Sequence, residues 1–207
     1  MKNLRSNKGF TLVELAIVLV IIGIILGAVL KGQELIYNAK VKRVQSQIKE
    51  FIAAFYTYYD KYGYYPGDDP TASTKFSSGA PNGNGNGLVE VGYCDTTGEE
   101  SCNLWRHLRY ANIISGDPAE STPANLLPKH AFGGPVDMFT GTYTVGGTTR
   151  SGLWITLRNI EAQAAAAIDR AMDDGKCTTG SIARYAGTAC TGTDYPTSGY
   201  LDIWMNF

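Results

Sequence analysis

Lys8-Gly9-Phe10-Thr11-Leu12-Val13-Glu14-Leu15 opens a run that continues to Leu30, and in it every residue after Lys8 is apolar or small except Thr11 and Glu14. At about 1.5 Å per residue, positions 10–30 make a helix of roughly 30 Å, the thickness of a bilayer's hydrocarbon core. A helix that packs on one side only alternates with polar positions, and this one does not. The run therefore predicts a membrane-spanning helix. Glu14 costs up to about 2.5–3.5 kcal/mol inside such a segment, so a carboxylate kept there is expected to meet a partner. That reading is preferred to one in which Glu14 only reaches out to the headgroups.

Beyond Leu30 the apolar residues continue at three- and four-residue steps: Leu35, Ile36, Ala39, Val41, Val44, Ile48, Phe51, Ile52, Phe55, Tyr58, Tyr59 and Tyr62. Lys40, Lys42, Arg43, Gln45, Gln47, Lys49 and Glu50 fill much of the remaining surface. The pattern predicts one helix from about Phe10 to Tyr62, roughly 80 Å long, apolar all round in its first half and one-sided in its second. Gly23, Gly27 and Gly32 are expected to let neighbouring helices approach closely. The rings between Phe51 and Tyr65 are expected to be core, because a stripe at helical spacing buries large aromatics more readily than it serves a ligand.

The leader 1–9 carries Lys2, Arg5 and Lys8 and no acid; taking these three from the chain's 18 basic residues leaves 15 against 19 acidic. Nothing in this mildly acidic mature chain suggests a nucleic-acid footprint, which would need basic residues gathered on one face. An ordinary secretory signal fits poorly, because the apolar run is long, carries Glu14 and lacks a small-residue cleavage site before Lys31. All four cysteines, Cys94, Cys102, Cys177 and Cys190, fall in the C-terminal body at spacings that suit neither a zinc ribbon nor a Cys-x-x-Cys redox pair. Of the three pairings that four cysteines allow, the local one, Cys94–Cys102 with Cys177–Cys190, is expected. Such bonds persist outside the cytoplasm, which places the body there.

Gly63 ends the helix, and Tyr64-Tyr65-Pro66-Gly67-Asp68-Asp69-Pro70 is a turn cluster. Asp68 and Asp69 are candidate calcium ligands, but no D-x-D-x-D-G alternation accompanies them, so exposed turn carboxylates are the preferred reading. Asn82-Gly83-Asn84-Gly85-Asn86-Gly87 reads as a mobile loop tip. Leu104–Ile114 reads as a short amphipathic helix that closes at Gly116-Asp117-Pro118. His107 and His130 show no pairing with other catalytic residue types and are read as surface or core residues. Thr142–Val145 and Leu153–Leu157 read as a hairpin around Gly-Gly-Thr-Thr-Arg-Ser-Gly, with Asn159 capping a helix through about Met172. Tyr200–Phe207 alternates with period two and reads as a final strand.

Gly9-Phe10-Thr11-Leu12-Val13-Glu14, preceded by a short basic leader, resembles the processing signal of type IV pilins and type II secretion pseudopilins. The Tyr62-Gly63-Tyr64-Tyr65-Pro66-Gly67-Asp68 run is similar to the helix exit of such proteins. The resemblance implies cleavage between Gly9 and Phe10 by a prepilin peptidase, N-methylation of Phe10, and an assembly role for Glu14. It implies a pilin-like α+β fold: a long N-terminal helix packed on an antiparallel sheet head with disulfide-bonded loops. The expected organisation is a cleaved leader (1–9), a transmembrane or filament-core helix (10–30), its amphipathic continuation (31–63) and a globular head (64–207). The expected function is a structural subunit of a type IV filament, with a type II secretion pseudopilin as the alternative. Expected partners are the peptidase, copies of the chain and other pilins, an inner-membrane assembly platform, and lipid before assembly. The expected location is the inner membrane with a periplasmic head, then a surface pilus or periplasmic pseudopilus. No cofactor is expected, with calcium as the alternative that some family members suggest. A membrane-anchored binding or enzymatic head is the competing class, but the chain has no Gly-x-Ser-x-Gly, His-Glu-x-x-His or phosphate loop.

Overall fold

The computed structural model describes residues 9–76, 79–90 and 92–207. The leader's Lys2, Arg5 and Lys8 lie outside the described residues. Helix α1 (Leu12–Tyr62) is followed by α2 (Ala72–Lys75), α3 (Glu100–Tyr110), α4 (Pro123–Leu126), β1 (Val136–Val145), β2 (Thr148–Glu161), α5 (Ala162–Met172), β3 (Ile182–Gly187) and β4 (Tyr200–Asn206). The strands form one antiparallel sheet in the order β1-β2-β4-β3. The chain is thus α+β, with two compact units, 1–39 and 40–207.

In the first unit, α1 presents an 18-residue apolar window of which nothing is buried. In the second unit, the remainder of α1 buries Val41, Val44, Ile48, Phe55 and Tyr58, the three- and four-residue steps of a single stripe. Phe51 meets the Trp105 ring of α3 edge to face at 5.2 Å, and Tyr58 stacks over His107 of the same helix at 5.9 Å. The aromatic run is only partly core, however. Tyr56 and Tyr59 keep over 40% of their surface.

The first half of β1 is buried on both faces. Val136, Met138 and Thr140 pair with Leu157, Ile155 and Leu153 on one side, while Phe139, Trp154 and Trp204 cluster on the other. A strand covered on both faces loses its polar alternation, which is why the sequence suggested a strand only from Thr142. The hairpin turn is just Gly146–Gly147, with φ of 60° and 74°, the left-handed pair that a tight two-residue turn requires. Thr148–Gly152, read from the sequence as loop, is strand.

Helix α3 starts at Glu100, a turn before the sequence suggested, and ends at Tyr110, with Asn112 in a left-handed conformation (φ 54°). Asn159 does not cap α5. It also has positive φ (53°) and lies at a bulge in β2, where its N–H donates to Asp202 at 2.7 Å; α5 begins only at Ala162.

Candidate functional site

Two places bear on function: the start of α1, and the carboxylate-rich loops of the head. At the first, Gly9 and Phe10 precede the helix in exposed, non-helical chain, with Phe10 80% exposed. The Thr11 hydroxyl accepts the Glu14 N–H at 3.2 Å. In return, the Glu14 carboxylate accepts both the N–H and the hydroxyl of Thr11 at 2.8 Å. This is a reciprocal capping box, which satisfies donors that a helix start would otherwise leave open. Its sequence signal is Thr-x-x-Glu ahead of an apolar run, which the reading of Glu14 as a lone carboxylate does not include. Glu14 therefore has an internal partner within its own chain. Its carboxylate is also the only acidic group in the first turn of the helix.

Asp68 and Asp69 correct the sequence reading. Both are almost fully buried, not exposed turn carboxylates. Asp68 accepts the N–H groups of Asn86 (3.0 Å) and Gly87 (2.9 Å), and burial holds its pKa above the ordinary carboxylate value despite those bonds. Asp69 accepts the Tyr58 hydroxyl, the Thr71 N–H and hydroxyl, and the Lys75 ammonium at 2.7 Å. Burial alone would raise its pKa, but Lys75 and the other donors outweigh it and lower the value. All four carboxylate oxygens are thus engaged by protons from the protein itself, which makes these residues clasps between α1 and the loops rather than a ready cation site.

The Asn-Gly hexamer is the other half of that clasp, and it is not a free loop tip. Gly83 donates to the Asp69 carbonyl and Gly85 to the Asp68 carbonyl. The Asn82 side chain accepts the Ser73 N–H, and Asn84 and Asn86 both donate to Glu90. A Cβ at Gly83 would come within 2.3 Å of the Asp68 backbone, so the alternating glycines allow the two segments to touch.

The structure joins Cys94 to Cys102 and Cys177 to Cys190. His107 is buried. It accepts the Gly67 N–H at one ring nitrogen and contacts the Pro81 carbonyl at the other, and burial pushes its pKa down to about 4, so it is neutral. His130 is likewise buried and bonded to backbone. Neither touches a nucleophile among its described partners.

Among the described residues, one further group gathers carboxylate oxygens within 4.8 Å: Asp169, Asp173 and Asp174. Asp169 accepts the Gly175 N–H and the Tyr195 hydroxyl; Asp173 accepts the Ile182 N–H; Asp174 accepts the Lys176 N–H and the Thr179 hydroxyl. The cluster closes the C-terminus of α5 onto the second disulfide loop. Sequence reasoning missed it because three of its five donors are peptide groups, which no residue type announces, and Tyr195 arrives from 26 residues away.

An exposed apolar N-terminal helix followed by a disulfide-bonded head with a four-stranded antiparallel sheet is a pilin-like α+β architecture. Residues 4–30 match the family model of the prokaryotic N-terminal methylation motif, the signal of type IV pilins and pseudopilins. The motif supports a type IV pilin- or pseudopilin-like protein, and a structural subunit rather than an enzyme. It implies processing by a prepilin peptidase and assembly into filaments, and with the apolar helix it fits an inner-membrane anchor. Neither a curated protein nor a solved structure matches the chain.

Proposed function

We propose that this chain is a pilin, a structural subunit of a type IV filament, cut between Gly9 and Phe10 and methylated on the new Phe10 amine. The observation that carries the reading is the coincidence of the methylation motif at 4–30 with a helix that begins at Leu12 and whose 18-residue apolar window is wholly unburied. The leader 1–9 presents the chain to the peptidase. Residues 10–30 hold it in the inner membrane and then in a filament core, 31–63 continue the helix, and 64–207 form a periplasmic and finally surface-exposed head. The two disulfides support a head outside the cytoplasm.

Glu14 is assigned the pairing role. As a subunit leaves the bilayer, its carboxylate exchanges the Thr11 donors for the charged Phe10 amine of a neighbouring copy. A buried charge left alone is penalised heavily and a paired one is tolerated, so the pair fixes axial register more than it adds net stability. Glu14→Val is therefore expected to be cut and inserted normally, yet to be depleted from sheared filaments by at least about tenfold, while its membrane level is unchanged. Wild-type incorporation of that variant would refute the register role. The methylation motif is shared with pseudopilins, so a periplasmic pseudopilus subunit of a type II secretion system is the second reading.

A further inference from the structure

Beside the middle of the β1–β2 hairpin, a cleft of about 220 Å³ lies between the sheet and the last turns of α1. Its floor is apolar, built from Phe55 and Leu153, both buried. Helix α1 and the turn after it contribute the Tyr56 and Tyr65 rings; Tyr65 stacks on Phe55 at 5.0 Å, and Tyr56 stands on edge to the same ring at 5.4 Å. The hairpin contributes hydroxyls. Thr142 and Ser151 face each other across the two strands with their oxygens 2.6 Å apart, and both are exposed. One hydroxyl proton joins them, which leaves the other proton and several lone pairs to offer.

Two features narrow what would fill this space. Among the described residues no charged side chain lines the cleft, so an anionic ligand would be desolvated there without a counter-charge. The surface is also divided, rings on the helix side and hydroxyls on the hairpin side. A wholly apolar occupant would cover the Thr142 and Ser151 hydroxyls without replacing their water, at the cost of leaving polar groups unpaired. A pyranose ring meets both conditions. Its axial C–H face is apolar and flat enough to lie on a tyrosine, while its equatorial hydroxyls donate and accept at the rim.

We propose that the Tyr56–Tyr65–Thr142–Ser151 cleft binds a neutral hexopyranose unit of a saccharide. The binding stands apart from the filament reading, since it rests on residues of the second unit, 40–207, and on none of the methylation motif at 4–30. Four neutral probes test it: the methyl pyranosides of glucose, galactose, mannose and N-acetylglucosamine. Saturation-transfer NMR would be run on the full chain in a sugar-free detergent, with glucuronate and a short tyrosine peptide as the other arms. The expected result is transfer to the axial C–H protons of at least one neutral glycoside, none to glucuronate, and none to the peptide. Tyr56→Ala should weaken that binding about tenfold, the loss of one well-placed ring contact. Ser151→Ala should weaken it a few-fold. Tyr200→Ala, an exposed tyrosine outside the cleft, should leave it unchanged, with near-UV circular dichroism confirming that each variant is folded. Transfer to none of the four glycosides, undiminished transfer in Tyr56→Ala, or transfer to the peptide alone would each overturn the assignment.

Discussion

Ile21 and Ile48 are the same residue type in the same helix and meet opposite surroundings. Ile21 keeps 51% of its surface, in a stretch where every residue from Phe10 to Lys31 is exposed; Ile48 keeps 1%. What separates them is the residues between the apolar ones. Around Ile48 lysines, an arginine and glutamines occupy the outward positions, and the buried face finds Trp105 and His107. Around Ile21 there is no polar face to turn outward, so no one-sided packing satisfies it. A helix apolar all round calls for an apolar solvent or for copies of itself; a striped one calls for a head. Both demands are written into a single element.

Truncation tests that contrast most strongly. Ile48→Ala should cost the head about 2–5 kcal/mol, the usual range for emptying a filled core site. Ile21→Ala should change the same unfolding transition by less than about 0.5 kcal/mol. Thermal unfolding of the full chain followed by near-UV circular dichroism would show it, and equal losses would break the division. The cross-links sharpen it further, because all of them lie in the head. Replacing Cys177 and Cys190 together by Ser opens a loop of 13-residue separation and should cost about 3 kcal/mol. A loss under about 1 kcal/mol would mean that the Asp169 cluster alone holds that loop.

The smallest effect is in pH. Folded His107 titrates near 4, below the 6.5 of an unfolded histidine, so the unfolded chain binds the proton first. Its contribution is present above pH 6.5 and is lost as pH falls towards 4. Asp137 and Asp169 oppose it: burial raises both to about 6, so each favours the folded state increasingly as pH falls through 6. The wild-type curve mixes these, and the difference isolates one. The stability advantage of wild type over His107→Gln should shrink between pH 7 and 4.5. An advantage that stays constant or grows over that range would show that His107 is protonated in the fold.

Much of this architecture could be read from the chain because its signals are local. Length and unbroken apolarity define the first half of α1, three- and four-residue spacing defines the second, and Gly63 marks its end. The cysteine spacings favoured the local pairing that the structure has. What escaped the sequence depends on long-range partners. Asp68 and Asp69 look like turn carboxylates until Asn86, Gly87, Tyr58 and Lys75 arrive from elsewhere to bury them. The Asn-Gly repeat looks mobile because its glycines are fixed through main-chain groups, bonded to the carbonyls of Asp69 and Asp68. Strand β3 carries little alternation and was not anticipated. Asn159 offered a plausible cap, but the bulge in β2 and the Asp202 carboxylate claimed it first. At the candidate site itself, Glu14 is legible because a carboxylate among apolar residues is costly, whereas Thr11, its partner in the capping box, carries no such cost.

The central claim is that the chain is cut at Gly9, methylated at Phe10 and built into a filament, and intact mass tests it most directly. Protein would be taken from membranes and from sheared surface filaments of the same cells. The account predicts a chain beginning at N-methylated Phe10, lighter by the four hydrogens of two disulfides and abundant in the sheared fraction. A chain still carrying Met1–Gly9, or a mature chain confined to the membrane fraction, would contradict it.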